Sequence, residues 1–338
     1  MKTSQFSFDL PESQIAQSPP ADRESARLLV LDLASGSVRH SSVRELEGFI
    51  DPGTVVVIND TRVRKARLFG TRAGGAITEL LLLERRGADV WEALAGRAGR
   101  LKPGAEFTFP EGVSAVLESA EDERRLLRFS PPIDEAWLER NGHVPLPPYI
   151  KRPDQASDEE RYQTVYARAV GSAAAPTAGL HLTPRLMAAM AARGVTVARV
   201  TLHVGLGTFQ PIRTEEIEDH QMHEEAYSVP AETSAAVDAA VHGGRPVLAV
   251  GTTVVRTLES AWMDGALRAG EGRTRIYITP GYQFNVVRQM LTNFHTPGST
   301  LLVLVSAFAG RERILATYQE AVRLGYRFFS YGDAMLIR

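Results

Sequence analysis

Histidine is the side chain whose ordinary pKa lets it take and give protons near neutral pH. In this chain His143, His181, His203, His220, His223 and His295 fall in loops or at the ends of apolar runs. One such residue alone is more often structural, but several at the ends of core strands point to acid–base work. His220 and His223, in His220-Gln221-Met222-His223-Glu224, would share a face if helical, which invites a metal reading. Neighbouring glycine and proline signals indicate a loop instead, no third ligand is near in sequence, and no metal is expected.

Gly251-Thr252-Thr253 sits between an apolar run and a helical pattern, with Arg256 one turn along. Exposed amides and two hydroxyls at such a turn suit an anion or a nucleoside, although a plain strand–helix turn reads the same way. The segment from Gly171 to His181 is rich in small residues, which let a backbone approach a ligand or pack tightly. Ser172 lacks the strand–turn–helix setting of a hydrolase nucleophile. His203-Val204-Gly205-Leu206-Gly207-Thr208-Phe209 has two glycines, but Gln210-Pro211 follows where a dinucleotide site needs a helix, so that reading is rejected. Arg62-Val63-Arg64-Lys65-Ala66-Arg67 concentrates cations, and Arg97, Arg100 and Lys102 form a second group. Phosphate contacts need such local density, though a solvated face is the commoner origin.

The elements that must position these groups follow from apolar patterning. Runs at 28–32 and 55–58 read as buried strands. Short runs at 67–70, 77–83, 90–94, 106–109 and 126–129, separated by glycine and proline turns, predict a small all-β barrel or sandwich inserted into the first domain. Proline-rich 145–149 is a stiff connector, and acidic 154–160 a solvated loop or helix start. Strands and helices then alternate. Helices are expected at 183–193, 231–241, 254–264 and 311–324, and strands at 195–204, 246–250, 275–278 and 326–331; 301–305 fits either a strand or a buried helix. This predicts a mixed α/β main domain, residues 1–63 and 145–338, carrying most of the site, and an inserted β-barrel domain, 64–144.

Composition removes several function classes. The 338 residues are 44% hydrophobic and 23% charged, ample for a large folded core. With no cysteine there is no disulfide, thiolate metal site or cysteine nucleophile. A net charge of −2 means that any nucleic-acid partner must be met by a local patch. No leader-like start and no bilayer-length apolar run are present, so a soluble cytoplasmic location without a membrane partner is expected.

The longer blocks are distinctive. They include Phe8-Asp9-Leu10-Pro11, Asn59-Asp60-Thr61-Arg62-Val63, Ala66-Arg67-Leu68-Phe69-Gly70, Pro145-Leu146-Pro147-Pro148-Tyr149-Ile150 and Ala174-Ala175-Pro176-Thr177-Ala178-Gly179-Leu180-His181. Thr201-Leu202-His203-Val204-Gly205, Thr292-Asn293-Phe294-His295 and Phe328-Phe329-Ser330-Tyr331-Gly332-Asp333 follow. In these blocks nearly the whole chain resembles the S-adenosylmethionine:tRNA ribosyltransferase-isomerases of queuosine biosynthesis.

That resemblance implies an α/β domain with a β-barrel domain. It also implies transfer and isomerisation of the ribosyl group of S-adenosylmethionine onto 7-aminomethyl-7-deazaguanine at the wobble position of a tRNA with a GUN anticodon. The products are epoxyqueuosine in tRNA, adenine and methionine; the sulfonium compound is a consumed substrate, no cofactor is expected, and a monomer suffices. Within the matching blocks, His203, His295 and then His223 are the expected acid–base groups, with Asp333 and Glu224 orienting them or facing the sulfonium. Thr177, His181, Gly251, Thr252, Thr253, Arg256 and Tyr331 are expected to bind substrate. Asn59, Asp60, Arg62, Arg64, Lys65 and Arg67 are expected to meet the tRNA. Three places depart from the family pattern: Arg288 replaces a usual acidic residue, Arg64-Lys65 a usual Ile-Pro, and Thr296-Pro297-Gly298 a usual Leu-Pro and polar residue. Arg288 is expected to reverse charge close to His295, which suggests one alternative, a same-fold ribosyltransferase with another acceptor; a non-catalytic tRNA-binding protein is a further alternative, disfavoured because the histidine-bearing blocks remain.

Overall fold

Val55–Asn59 is buried at every position. A strand with no polar face needs cover on both sides, which places it inside a sheet. In the computed structural model, which describes residues 1–95, 101–121, 124–205 and 211–338, it lies in the middle of a nine-stranded sheet. From edge to edge the strands are Gly270–Thr274, Glu225–Val229, Thr196–Leu202, Val55–Asn59, Val247–Val250, Gln289–Asn293, Ala334–Ile337, Arg27–Leu31 and Val38–Ser42. The four from Thr196–Leu202 to Gln289–Asn293 run parallel, so their carboxyl ends share one sheet edge. The helices Ala231–His242, Thr252–Ala261, Thr300–Ala309 and Arg311–Arg323 contribute side chains to the larger apolar layer, and Pro184–Ala192 to the other.

The barrel is closed by Arg67–Arg72, Ile77–Arg85, Val90–Ala95, Glu106–Thr108, Ser114–Glu121 and Arg124–Ser130. Leu68, Leu80, Trp91, Phe107, Leu117 and Phe129 fill its interior, the inward half of a period-two pattern. Strand Ser114–Glu121 has an apolar stretch of only three residues, Ala115-Val116-Leu117, before it turns polar, which is why no run marks it in the sequence. Helix Glu135–Asn141, capped by the Asp134 carboxylate at 2.8 Å from the Trp137 amide, packs Trp137 and Leu138 onto the barrel and leads the chain back towards the sheet.

Of the two readings open for segment 301–305, the buried helix holds: it is part of helix Thr300–Ala309, N-capped by Ser299. Several expected elements are corrected. Residues 275–278 form no strand; the strand is the preceding Gly270–Thr274, whose glycines disguise it. Gly272 is needed there, because a Cβ would lie 2.5 Å from the Tyr227 ring. Residues 326–331 are not a strand either. Phe329 turns the chain with φ at +70°, and the final strand is Ala334–Ile337. The helix expected from 254 begins at Thr252 and stops at Ala261, where Trp262–Met263 starts a short hairpin with Ala266–Leu267.

Candidate active site

Ligands in open α/β sheets settle beyond the carboxyl ends of parallel strands. Here that edge is tied together by one side chain. Asn59 accepts from the amides of Thr61 and Leu202, both at 3.1 Å, and donates to the Leu202 carbonyl at 3.0 Å and Thr253 Oγ1 at 3.2 Å. Its four hydrogen-bonding positions are all used, and the ends of Val55–Asn59 and Thr196–Leu202 are tied to the first turn of the helix Thr252–Ala261. Asp60 is likewise buried, taking the Thr201 hydroxyl at 2.6 Å and the Arg168 guanidinium at 3.0 Å.

Behind these ends opens a pocket of about 670 Å³, counting its mouth. Thr177, Gly251, Thr252, Thr253, Thr292, Asn293 and His295 supply its polar wall, with Tyr149 and Phe329 on the apolar side. Asn293 is fixed from two sides: Thr177 Oγ1 donates to its Oδ1 at 3.0 Å, and its Nδ2 donates to His181 Nε2 at 3.0 Å. His181 stands behind the wall; burial pushes its pKa down to about 4, so it is neutral and free to accept. His295 is hydrogen-bonded through Nε2 to Thr292 Oγ1 at 2.8 Å, and burial lowers its pKa to about 3. It too is neutral at physiological pH. Tyr149 and Phe329 stack at 4.1 Å between centroids, and the Tyr149 hydroxyl bonds Ser330. Phe329 is held in the left-handed region by amide bonds to Phe294 and Gly332, a strain of the kind that concentrates at functional sites.

His203 stands one residue from the lining residue Val204, at the junction with the segment leading to the barrel. Its Nδ1 bonds Thr61 Oγ1 at 2.8 Å. Its ring fills the space above Gly171, where an added Cβ would lie 2.9 Å from Cε1. Burial, then the Arg64 charge, lower its pKa, against an opposing pull from Asp60.

The family described as queuosine biosynthesis protein matches residues 3–337. The chain belongs to that family. It is 50% identical to the S-adenosylmethionine:tRNA ribosyltransferase-isomerase of Moorella thermoacetica over the full length of both, and 51% identical to that of Anaeromyxobacter dehalogenans over 100% of this chain and 99% of the relative. The crystal structure of S-adenosylmethionine tRNA ribosyltransferase from Thermotoga maritima matches with a TM-score of 0.58 at 35% identity, covering 99% of this chain and 100% of that one. The mixed α/β fold with a closed β-barrel, and the family, are those that the sequence resemblance implies.

Other residues named from sequence lie apart from the pocket. Asn59 and Asp60 are buried, and their polar atoms serve the strand ends rather than a bound RNA. Tyr331 is buried in a separate apolar cluster, and its hydroxyl donates to Asp158 at 2.8 Å. Asp333 is buried and accepts from the Arg27 and Arg327 amides and the Arg27 guanidinium, so it anchors the last turn before the final strand. His223 and Glu224 are exposed, and Glu224 pairs with Arg273 at 2.8 Å and Arg275 at 3.3 Å. The basic run is largely neutralised: Arg64 meets Glu135 at 2.7 Å, Lys65 meets Glu159 at 2.9 Å, and Arg67 meets Glu79 at 3.1 Å. Arg62 is the half-exposed member, 3.8 Å from Glu139. Arg97 and Arg100, and the 206–210 part of the glycine segment after His203, lie outside the described residues.

Arg288 is not close to His295. It precedes strand Gln289–Asn293 while His295 follows it, so the strand separates them by roughly 20 Å at about 3.3 Å per residue. Exposed Arg288 donates instead to the carbonyls of Phe284 and Asn285 at 2.8 and 3.2 Å. The pocket residues not named from sequence are chiefly Tyr149, Thr292, Asn293, Phe329 and Ser330. All lie in the distinctive blocks, but block membership does not say which side chain faces inward.

Proposed function

We propose that this chain transfers and isomerises the ribosyl group of S-adenosylmethionine onto 7-aminomethyl-7-deazaguanine at the wobble position of a GUN-anticodon tRNA, as a cytoplasmic monomer needing no cofactor. The observation that carries this reading is the hydroxyl- and amide-lined pocket at the carboxyl ends of the parallel strands, with neutral His295 in its wall and His203 next in the chain to the lining residue Val204. A nucleoside needs such a lining: hydroxyls and an amide for the ribose, and an aromatic face for the base.

The reaction begins by removing a proton from the ribose 5′-carbon, which the adjacent sulfonium acidifies. Adenine must then leave with a proton, the ring opens, and the acceptor amine attacks. An epoxide closes as the C–S bond breaks; sulfur keeps the electron pair, so methionine departs as a neutral thioether. One imidazole can take the first proton and deliver it to the departing adenine. His203 suits both halves: it is neutral at pH 7, and its lowered pKa makes its protonated form a readier donor. His295, more deeply buried and with its pKa near 3, is a poor proton acceptor and serves as a fixed hydrogen-bonding group for the sugar. Arg62 provides one phosphate contact for the tRNA at the junction with the barrel. Glu224 and His223 take no part in this sequence.

The test is to incubate the protein with S-adenosylmethionine and tRNA carrying the deazaguanine precursor. Adenine together with modified tRNA is expected. Adenine released only with another acceptor, or tRNA binding without adenine, contradicts the proposal.

A further inference from the structure

A second, smaller cleft of about 360 Å³, its mouth included, adjoins the pocket, and the two share Thr252, Thr253 and Leu301 as a common wall. Arg256 lies along it, 5% exposed, on the helix Thr252–Ala261 whose first turn forms that wall. Its guanidinium is only partly used. Nη1 holds the buried carboxylate of Glu225, which also takes the Gly205 amide at 2.9 Å, and Nε reaches the Ile276 carbonyl at 3.3 Å. Nη2 is buried with no partner, and so is the hydroxyl of Tyr277 in the same cleft. Unpartnered buried donors are costly and uncommon. Two bordering one cleft, at the positive end of a helix dipole, describe a place that a carboxylate completes.

We propose that this cleft is the subsite for the methionine carboxylate of S-adenosylmethionine, bound by Arg256 Nη2 and the Tyr277 hydroxyl. The inference rests on the reading above that the adjoining pocket holds the adenosyl part. The common wall at Thr252, Thr253 and Leu301 then lies beside the sulfonium. Met222, Ile278 and Leu304 line the cleft for the aliphatic carbons of the tail. The Glu225 carboxylate, already shared between Arg256 and the Gly205 amide, orients the guanidinium and leaves Nη2 to the ligand.

The test compares binding of S-adenosylmethionine with that of its decarboxylated form, which keeps the adenosine and sulfonium and lacks only the carboxylate. Titration calorimetry on the full chain reads the two dissociation constants, with adenine release followed in parallel. The wild type should favour the carboxylated ligand roughly 10- to 100-fold, the range for charge-assisted hydrogen bonds. Arg256→Gln should abolish most of that preference, and Tyr277→Phe should reduce it several-fold. Tyr277→Phe removes a hydroxyl with no protein partner, so it guards against a folding artefact from Arg256→Gln. Equal affinity for both ligands in the wild type, no binding of either, or variants that weaken both in the same proportion would overturn the subsite. Discriminating binding without adenine release would leave the subsite standing and remove the proposed reaction.

Discussion

Gly171→Ala tests the positioning of His203 without altering any reacting group. The added Cβ lies 2.9 Å from His203 Cε1, and an ordinary contact begins at 3.4 Å, so the imidazole must retreat by about 0.5 Å. Cε1, Nδ1 and Nε2 lie at 2.9, 3.0 and 3.1 Å from the added Cβ, so the ring is pushed face-on, which tilts Nδ1 out of line with its 2.8 Å bond to Thr61 more than it lengthens the bond. If a 1 Å misplacement costs on the order of 100-fold, half of that costs roughly tenfold, or about 1.4 kcal/mol in the barrier. Gly171 also has φ at +153°, which side-chain-bearing residues rarely adopt, so about 1–3 kcal/mol of stability should go as well. Thermal melts fix the folded fraction, and adenine release is measured well below the midpoint. The expected result is a folded variant releasing adenine about tenfold more slowly, with little change in KM for S-adenosylmethionine. In a His203→Ala background the same substitution should cost stability but no further rate, because the two act through one group. A folded Gly171→Ala protein with the wild-type rate would refute the placement of His203 in the chemistry.

Three further outcomes follow from the geometry. His295 and His181 have folded pKa values lowered to about 3 and about 4 from an ordinary 6.5; the unfolded chain therefore binds protons first as pH falls, and their contribution to stability, complete above pH 6.5, should be lost progressively down to about pH 3. Melts from pH 7 to pH 4 should show a falling midpoint, and a His295→Gln variant should show a shallower fall. Asp333→Asn should lower stability by about 2–3 kcal/mol through loss of its charge-assisted bonds to Arg27 and two amides, with kcat of the folded fraction unchanged; a kcat loss at normal stability would return Asp333 to the chemistry. Arg62→Ala should raise KM for tRNA a few-fold and flatten its salt dependence by about one charge, with adenine release at saturating tRNA unaltered.

The sheet is legible where chemistry is one-sided. Four successive branched apolar residues at 55–58 admit no exposed face, and the Gly-Thr-Thr turn after Val247–Val250 marks where a strand hands over to a helix. Thr177, Gly251, Thr252, Thr253 and His295, named from sequence, line one pocket. The remainder depends on non-local partners. Phe329, Ser330, Tyr331 and Asp333 share one block, but the left-handed turn at Phe329 sends the first two into the pocket and the others into the core. Aromatic residues there imitate a strand pattern, which the backbone does not follow. The basic run at 62–67 reads as an RNA patch until Glu79, Glu135 and Glu159, which lie well apart from it in sequence, are seen to neutralise it. Arg288 fails for a related reason: seven positions along the chain bring a residue near His295 in a helix turn or loop, but carry it to the far end of a strand.

The central claim is that the pocket beyond the Val55–Asn59, Val247–Val250 and Gln289–Asn293 ends is where S-adenosylmethionine is taken apart. The most direct measurement is a crystal structure with S-adenosylhomocysteine, which lacks the S-methyl group and so has no sulfonium charge and cannot react. Adenosine density against Thr177, Asn293 and His295, with the 5′-carbon facing His203, is the predicted result. Ordered ligand on the barrel or beside His220 and His223, with this pocket holding only solvent, would contradict it.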